Sequence, residues 1–207
     1  MKTLAILSRK GGSGKSTFAV HLAVAAEKDG HTTALIDLDP QASAVKWSRR
    51  REGDSPVVIS AHSTLLNEVL ETAEEGGVSL CILDTSPHSE SAALDAAKVA
   101  DLAVIPSRPA IFDLEAVGDT IQIADMAKVP VRVVLNGVKP SGSAAIKAKK
   151  ALEIYDVPCA PCTLGDRVAF SHSVVDGVTA QEYEPTGKAS REVGALYSYL
   201  LRELEGV

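Results

Sequence analysis

The sequence predicts an α/β fold, a three-layer, doubly wound, mostly parallel sheet with helices on both faces. Short β-rich apolar runs recur at residues 4–7, 33–38, 80–83, 102–105 and 131–135, and longer Ala-rich or amphipathic stretches separate them. Those runs are apolar throughout rather than alternating, as parallel strands are when crossover helices cover both sheet faces. At 207 residues and 45% hydrophobic content, the chain suits one sizeable core, so residues 1–207 are expected to form a single domain.

The first run, 4–7, follows Met1 almost at once and leads into a Gly-rich loop. No small-residue cleavage site appears, so it reads as a first strand rather than a secretion signal. Residues 16–28 contain neither Gly nor Pro and stop short of Gly30, a plausible helix end. Leu65, Leu66, Val69, Leu70 and Ala73 make an apolar stripe at helical spacing, and 114–128, 144–155 and 189–204 also read as helices.

Between the first strand and first helix lies Ser8-Arg9-Lys10-Gly11-Gly12-Ser13-Gly14-Lys15-Ser16-Thr17. A triphosphate needs closely spaced backbone N–H donors, and Gly11, Gly12 and Gly14 permit the required dihedrals without side chains in the way. The helix beginning near Lys15 aims free N–H groups and its positive dipole end at the same anion. Lys15 can reach the outer phosphates and Ser16 can ligate Mg²⁺, while Ser13 and Thr17 complete the loop. The motif resembles the phosphate loop of P-loop NTPases, which implies ATP or ADP and Mg²⁺ as cofactors.

Two further strands end in acids. Residues 34–38 run into Asp37 and Asp39, which alternation places on one side, followed by Pro40-Gln41. Leu80-Cys81-Ile82-Leu83 ends at Asp84. Carboxylates at such strand ends hold the Mg²⁺ water shell or orient an attacking water, which makes Asp37, Asp84 and Ser16 metal candidates. Asn136, after the fifth run, carries an amide able to donate to and accept from a purine edge, although a turn Asn before Gly137 looks the same.

The loop departs from the plain G-x-x-x-x-G-K-[ST] pattern, because Arg9 stands where the first Gly would be and Lys10 follows it. The form K-G-G-x-G-K-[ST] resembles the deviant Walker A loop of the ParA/MinD superfamily. With the D-x-D-P-Q run, the Asp84 strand, Ile105-Pro106-Ser107 and the Asn136 strand, the resemblance extends along nearly the whole chain and is nearest the small ParF-like partition ATPases. It implies weak intrinsic ATPase activity, with Lys10 reaching a partner's nucleotide across a homodimer, Asp39 acting in hydrolysis and Asn136 meeting adenine.

The resemblance further implies a partition cycle. ATP-bound copies pair, or assemble into polymers, bind non-specific DNA, and are released when a centromere-binding ParB/ParG-like adaptor stimulates hydrolysis. Arg167, Lys188, Arg191 and Arg202 are the candidate DNA contacts, since phosphates ask only for charge. No N-terminal helix-turn-helix domain is expected, and the location implied is a nucleoid-associated one in the cytoplasm.

Composition limits the alternatives. A net charge of -6 and pI near 5.4 exclude a surface coated with basic residues, though not a local patch. No run approaches the roughly 18 apolar residues that cross a bilayer. The end of the chain carries more acid than base, against a membrane-cycling helix. Cys81, Cys159 and Cys162 are too few for a disulfide framework. Cys159-Ala160-Pro161-Cys162 resembles the cysteine pair of iron-sulfur carriers but falls a helix too late. Lys46-Trp47-Ser48-Arg49-Arg50-Arg51 reads as a solvated helix end with Trp47 packed beneath, since Arg stems cover apolar surface. Another cargo, such as a carboxysome-like body, suits the same chemistry as a plasmid does.

Overall fold

Side chains along β1 (Lys2–Ile6) part to opposite faces of a sheet, and both faces are buried. Leu4 and Ile6 enter one apolar cluster, while Ala5, with Leu7 just beyond the strand, enters the other. The computed structural model describes residues 1–140 and 143–206. Its sheet adds β2 (Thr33–Asp37), β3 (Val57–Ser60), β4 (Leu80–Asp84), β5 (Leu102–Ser107) and β6 (Val131–Leu135), all six strands parallel in the order β3-β2-β4-β1-β5-β6.

Helices cover each face, as the uninterrupted apolar strands require. On one side, α1 (Lys15–Lys28), α2 (Ser43–Ser48) and the C-terminal α9 (Lys188–Glu205) bury Phe18, Trp47, Leu196 and Leu200 against Ile6 and Ile82. On the other, α3 (Leu66–Glu75), α4 (Glu90–Val99), α5 (Ile111–Ala127) and α6 (Ala144–Leu152) pack Leu66, Ala96, Val117 and Leu152 against Leu83 and Ile105. Two short helices, α7 (Val168–Val175) and α8 (Ala180–Tyr183), close the end beside α9, where Ala169, Ala180 and Ala189 pack together.

The register of this sheet builds the site. Asp37 on β2 and Asp84 on β4 are direct partners, and Ile6 on β1 is the partner of Asp84 on its other side. Three strand ends therefore deliver the two acids and the start of the phosphate loop to one spot. The Thr85 hydroxyl donates to the Ile6 carbonyl at 2.7 Å and binds β4 to β1 there.

Several expectations from the sequence needed correction. β3 escapes it because an edge strand of four residues, mostly exposed, carries no run of buried residues. Residues 144–155 are not one helix: the α-helical part stops at Leu152 and continues as a 3-10 turn over Glu153–Tyr155. Around Cys159 the chain meets the sheet through isolated bridges, of Cys159 with Val133 and of Gly165 with Val138. Cys159 and Cys162 pack against different core clusters. Burial raises both thiols above their ordinary range, so neither is poised as a thiolate ligand. No described helix is long and apolar enough to cross a membrane.

Small residues set the spacing of α1 on the sheet, where Ala19, Ala23 and Ala26 have no exposed surface. Ala23→Leu should lower stability by about 1–3 kcal/mol through overpacking, read as a lower urea midpoint at unchanged slope.

Candidate functional site

Residues 8–14 leave the end of β1 and turn into α1 through two left-handed glycines, Gly12 at φ 74° and Gly14 at φ 92°. A side chain at Gly14 would also strike the Asn136 amide. No side chain caps α1, so the N–H groups of its first turn have no side-chain acceptor. Ser13 is buried and its hydroxyl has no partner among the described residues. These are the marks of a cradle whose acceptor is an anion.

Beneath the loop, Lys15 is 6% exposed and Asp84 is 0% exposed. Burial lowers the Lys15 pKa, opposed by the charges of Asp84 and Asp39. Burial likewise pushes the Asp84 carboxyl up to about 7, with Ser16 and Lys15 pulling it down and Asp37 and Asp39 adding to the rise. Neither Asp84 oxygen has a hydrogen-bond partner among the described residues. A buried carboxylate with both oxygens unanswered fits a hydrated cation carried in by phosphate. No described cluster of three His, Cys, Asp or Glu residues is set to hold a metal alone. The donor set therefore suits Mg²⁺ held largely by phosphate and water, with Ser16 and Asp84 beside it.

Asp37 is engaged differently from the metal ligand expected. Its carboxylate accepts from the backbone N–H of Asp39 at 3.1 Å, Ala44 at 2.9 Å and Val45 at 3.2 Å, which fixes the turn after β2 and the start of α2. Asp37 thus holds the loop that presents Asp39. Asp39 is half-buried, and one of its oxygens accepts from the Gln41 N–H at 2.9 Å.

Lys10 and Arg9, one residue apart, have different surroundings. Arg9 pairs with Glu90 at 2.5 Å, and its backbone N–H donates to the Thr120 hydroxyl. Lys10 is exposed, and its ammonium has no partner among the described residues.

Beside the loop opens a cleft lined by Thr17, His21, Arg108, Asn136, Arg167 and Phe170, among others. The Asn136 amide donates to the Ser13 carbonyl at 2.9 Å, and its oxygen accepts from the Gly137 N–H at 2.8 Å. Asn136 therefore braces the phosphate loop as well as facing the cleft. His21, Arg108 and Phe170 were missed in the sequence. His21 alone left a trace there, four residues beyond Thr17 on an otherwise apolar helix.

Of the four DNA candidates, Arg167, Lys188 and Arg191 line one surface cleft, and Arg202 lies apart on α9. Arg167 is ion-paired with Glu192, which also accepts from the Gly165 N–H, so its charge is answered within the chain. Lys188 and Arg191 are exposed near the start of α9, and Arg191 donates to the Thr186 carbonyl. Arg202 lies fourteen residues beyond Lys188 along the helix, roughly 21 Å away at 1.5 Å per residue.

Against known proteins, the CobQ/CobB/MinD/ParA nucleotide binding domain family matches residues 4–179. The chain belongs to this family. Its relatives include the Gloeobacter kilaueensis maintenance of carboxysome distribution protein A, 34% identical over 99% of this chain and 94% of that one. Among solved structures, a Cyanothece McdA–ATP complex superimposes with TM-score 0.76 at 16% identity, covering 100% and 97% of the two chains. MinD from Pyrococcus horikoshii complexed with Mg-ADP gives 0.79 at 18%, covering 96% and 95%. The fold expected of a P-loop NTPase of the ParA/MinD kind is thereby established.

The nucleotide-free site has a pH signature. Because the Asp84 pKa stands at about 7, well above an ordinary carboxyl, the native state binds more protons than the unfolded state between about pH 4 and pH 7. Stability should therefore fall as pH rises through that window. Asp84→Asn should flatten the slope by on the order of 1 kcal/mol or more, measured as urea unfolding at pH 5 and pH 7.5.

Proposed function

We propose that this chain is an Mg²⁺-dependent ATPase that positions a large cargo, pairing with a second copy when ATP is bound. The observation that carries the reading is the asymmetry of the two loop lysines, Lys15 buried beneath the loop and Lys10 exposed and unanswered. In one chain, Lys15, the loop amides and the first turn of α1 bind the triphosphate. Lys10 supplies charge to a nucleotide held by the other copy, where negative charge grows as the phosphoryl group transfers. Asp39, held by the Asp37-capped turn, orients the attacking water. Magnesium, when bound, screens the phosphate oxygens. The cleft beside Asn136 receives the base.

For cargo, a protein body of the carboxysome kind has better support than a plasmid. The relative that shares 34% of its residues along nearly its whole length is named for carboxysome distribution. The adaptor would then sit on that body, while the paired ATPase holds non-specific DNA of the nucleoid through phosphate contacts. Lys188, Arg191 and Arg202 retain exposed charge for that task. A membrane-cycling role has less support, because α9 turns Val193, Leu196, Leu200 and Leu204 into the core and leaves them unavailable to lipid.

Three variants test the scheme. Lys15→Ala should abolish ATP binding in calorimetry. Lys10→Ala should bind ATP within a few-fold of wild type yet hydrolyse it at least tenfold more slowly; hydrolysis at the parental rate would remove the cross-dimer role. Asp39→Ala should accumulate as an ATP-bound dimer in size-exclusion light scattering, and persistent monomers with ATP and Mg²⁺ would overturn the pairing. Imaging in a strain lacking the gene separates the cargoes, since clustered protein bodies with stable plasmids are expected and plasmid loss alone would refute the cargo assignment.

A further inference from the structure

The segment from Gly177 to Glu182, which leads from α7 into α8, bonds both to α1 and to the chain just past α2, the helices that follow the phosphate loop and the Asp39 turn. Toward α1, the Ala180 N–H donates to His21 Nε2 at 3.0 Å, so His21 carries its proton on Nδ1 and donates to the Thr17 carbonyl at 2.6 Å. That carbonyl belongs to the first turn of the phosphate-loop helix. Toward α2, the Glu182 carboxylate accepts from two nitrogens of Arg51 at 2.7 and 3.0 Å. The same carboxylate accepts from the Thr179 N–H and hydroxyl at 2.8 and 2.9 Å, which closes a capping box on α8.

Arg51 also lies 5.3 Å over the ring of Trp47, whose Nε1 donates to the Val178 carbonyl at 3.2 Å. Gly177, at φ 72°, touches the backbone of Arg50 and Arg51 so closely that any side chain there would collide with it. Only 13% of the Arg51 side chain and 23% of that of Glu182 is exposed, so water screens this fork-to-fork pair weakly. Helix α2 is therefore fixed at both ends, by Asp37 at its start and by this segment just past its finish. Asp39 sits on the turn between β2 and α2.

We propose that the Arg51–Glu182 ion pair, seated on Trp47, positions the Asp39 turn against the phosphate loop, making Arg51 and Glu182 positioning residues for ATP hydrolysis. The inference rests on the hydrolytic role given to Asp39 above. A small displacement of an orienting carboxylate costs rate without costing affinity, because the triphosphate is held by the loop amides and Lys15, which the pair does not touch.

Steady-state ATP hydrolysis, measured well below each variant's melting temperature, tests it. Arg51→Ala should lower kcat about tenfold or more with KM changed less than twofold, and Arg51→Lys should recover part of the loss. Gly177→Ala, which keeps both charges and forces the backbones apart, should give the same split. Glu182→Gln, which keeps acceptors for Thr179, should fall between. A second readout follows from the same role: Arg51→Ala, like Asp39→Ala, should accumulate as an ATP-bound dimer in size-exclusion light scattering, because binding and pairing survive while hydrolysis slows. An Arg51→Ala chain that fails to pair with ATP, or that keeps a parental kcat, would overturn the inference while leaving the ATPase reading intact. A wild-type chain that binds ATP and hydrolyses none would sink both. Should Arg51→Ala not fold, Gly177→Ala and Glu182→Gln decide the matter by the same split between kcat and KM.

Discussion

An ammonium and a carboxylate, both taken out of water under a loop of glycines, dominate this molecule. Lys15 and Asp84 each lose hydration that their mutual attraction only partly restores, and both shift toward their neutral forms. Such an arrangement is costly by itself and calls for a group that completes it. A polyphosphate brings negative charge to the lysine and a hydrated cation to the carboxylate. The site is thus built to be completed by an anion and its counter-ion, and the rest of the fold keeps it from relaxing.

That restraint comes from the sheet. Parallel strands in strict register cannot slide without turning every buried side chain to the wrong face. The pairing of Asp37 with Asp84, and of Asp84 with Ile6, is therefore as firm as the core itself. Helix α1 is held down by alanines too small to leave slack. The remaining parts of the site, the Asp39 turn and the cleft beside Asn136, hang from this frame on α2, α7 and the loop after β6.

Much of this was legible in the residues, and the exceptions have physical reasons. Continuous apolar runs announced the buried strands, and the Gly-rich loop with its lysine announced the anion site, because those patterns are local. The exposed edge strand β3 and the Ala-rich α4 carried little periodicity and passed unseen. Asp37 was legible as a strand-end acid, but its engagement with three backbone amides depends on how the chain turns afterwards. Arg167 looked like a free cation because its partner, Glu192, lies on another helix. The basic run at 46–51 concealed two opposite fates: Lys46 and Arg49 point to solvent, while Arg51 is locked to Glu182 across more than a hundred residues. Sequence adjacency indicates charge density well and pairing poorly.

The position of Trp47 has a practical consequence. It is the sole tryptophan of the chain, 2% exposed, with a guanidinium over its ring and its indole nitrogen bonded to the segment that joins α7 to α8. Indole emission depends on nearby charge and on hydration, and here a single ring reports both on one joint between two halves of the site. Motion of that joint during a nucleotide cycle is thus open to stopped-flow optics in the unlabelled protein, with no engineered dye to perturb it.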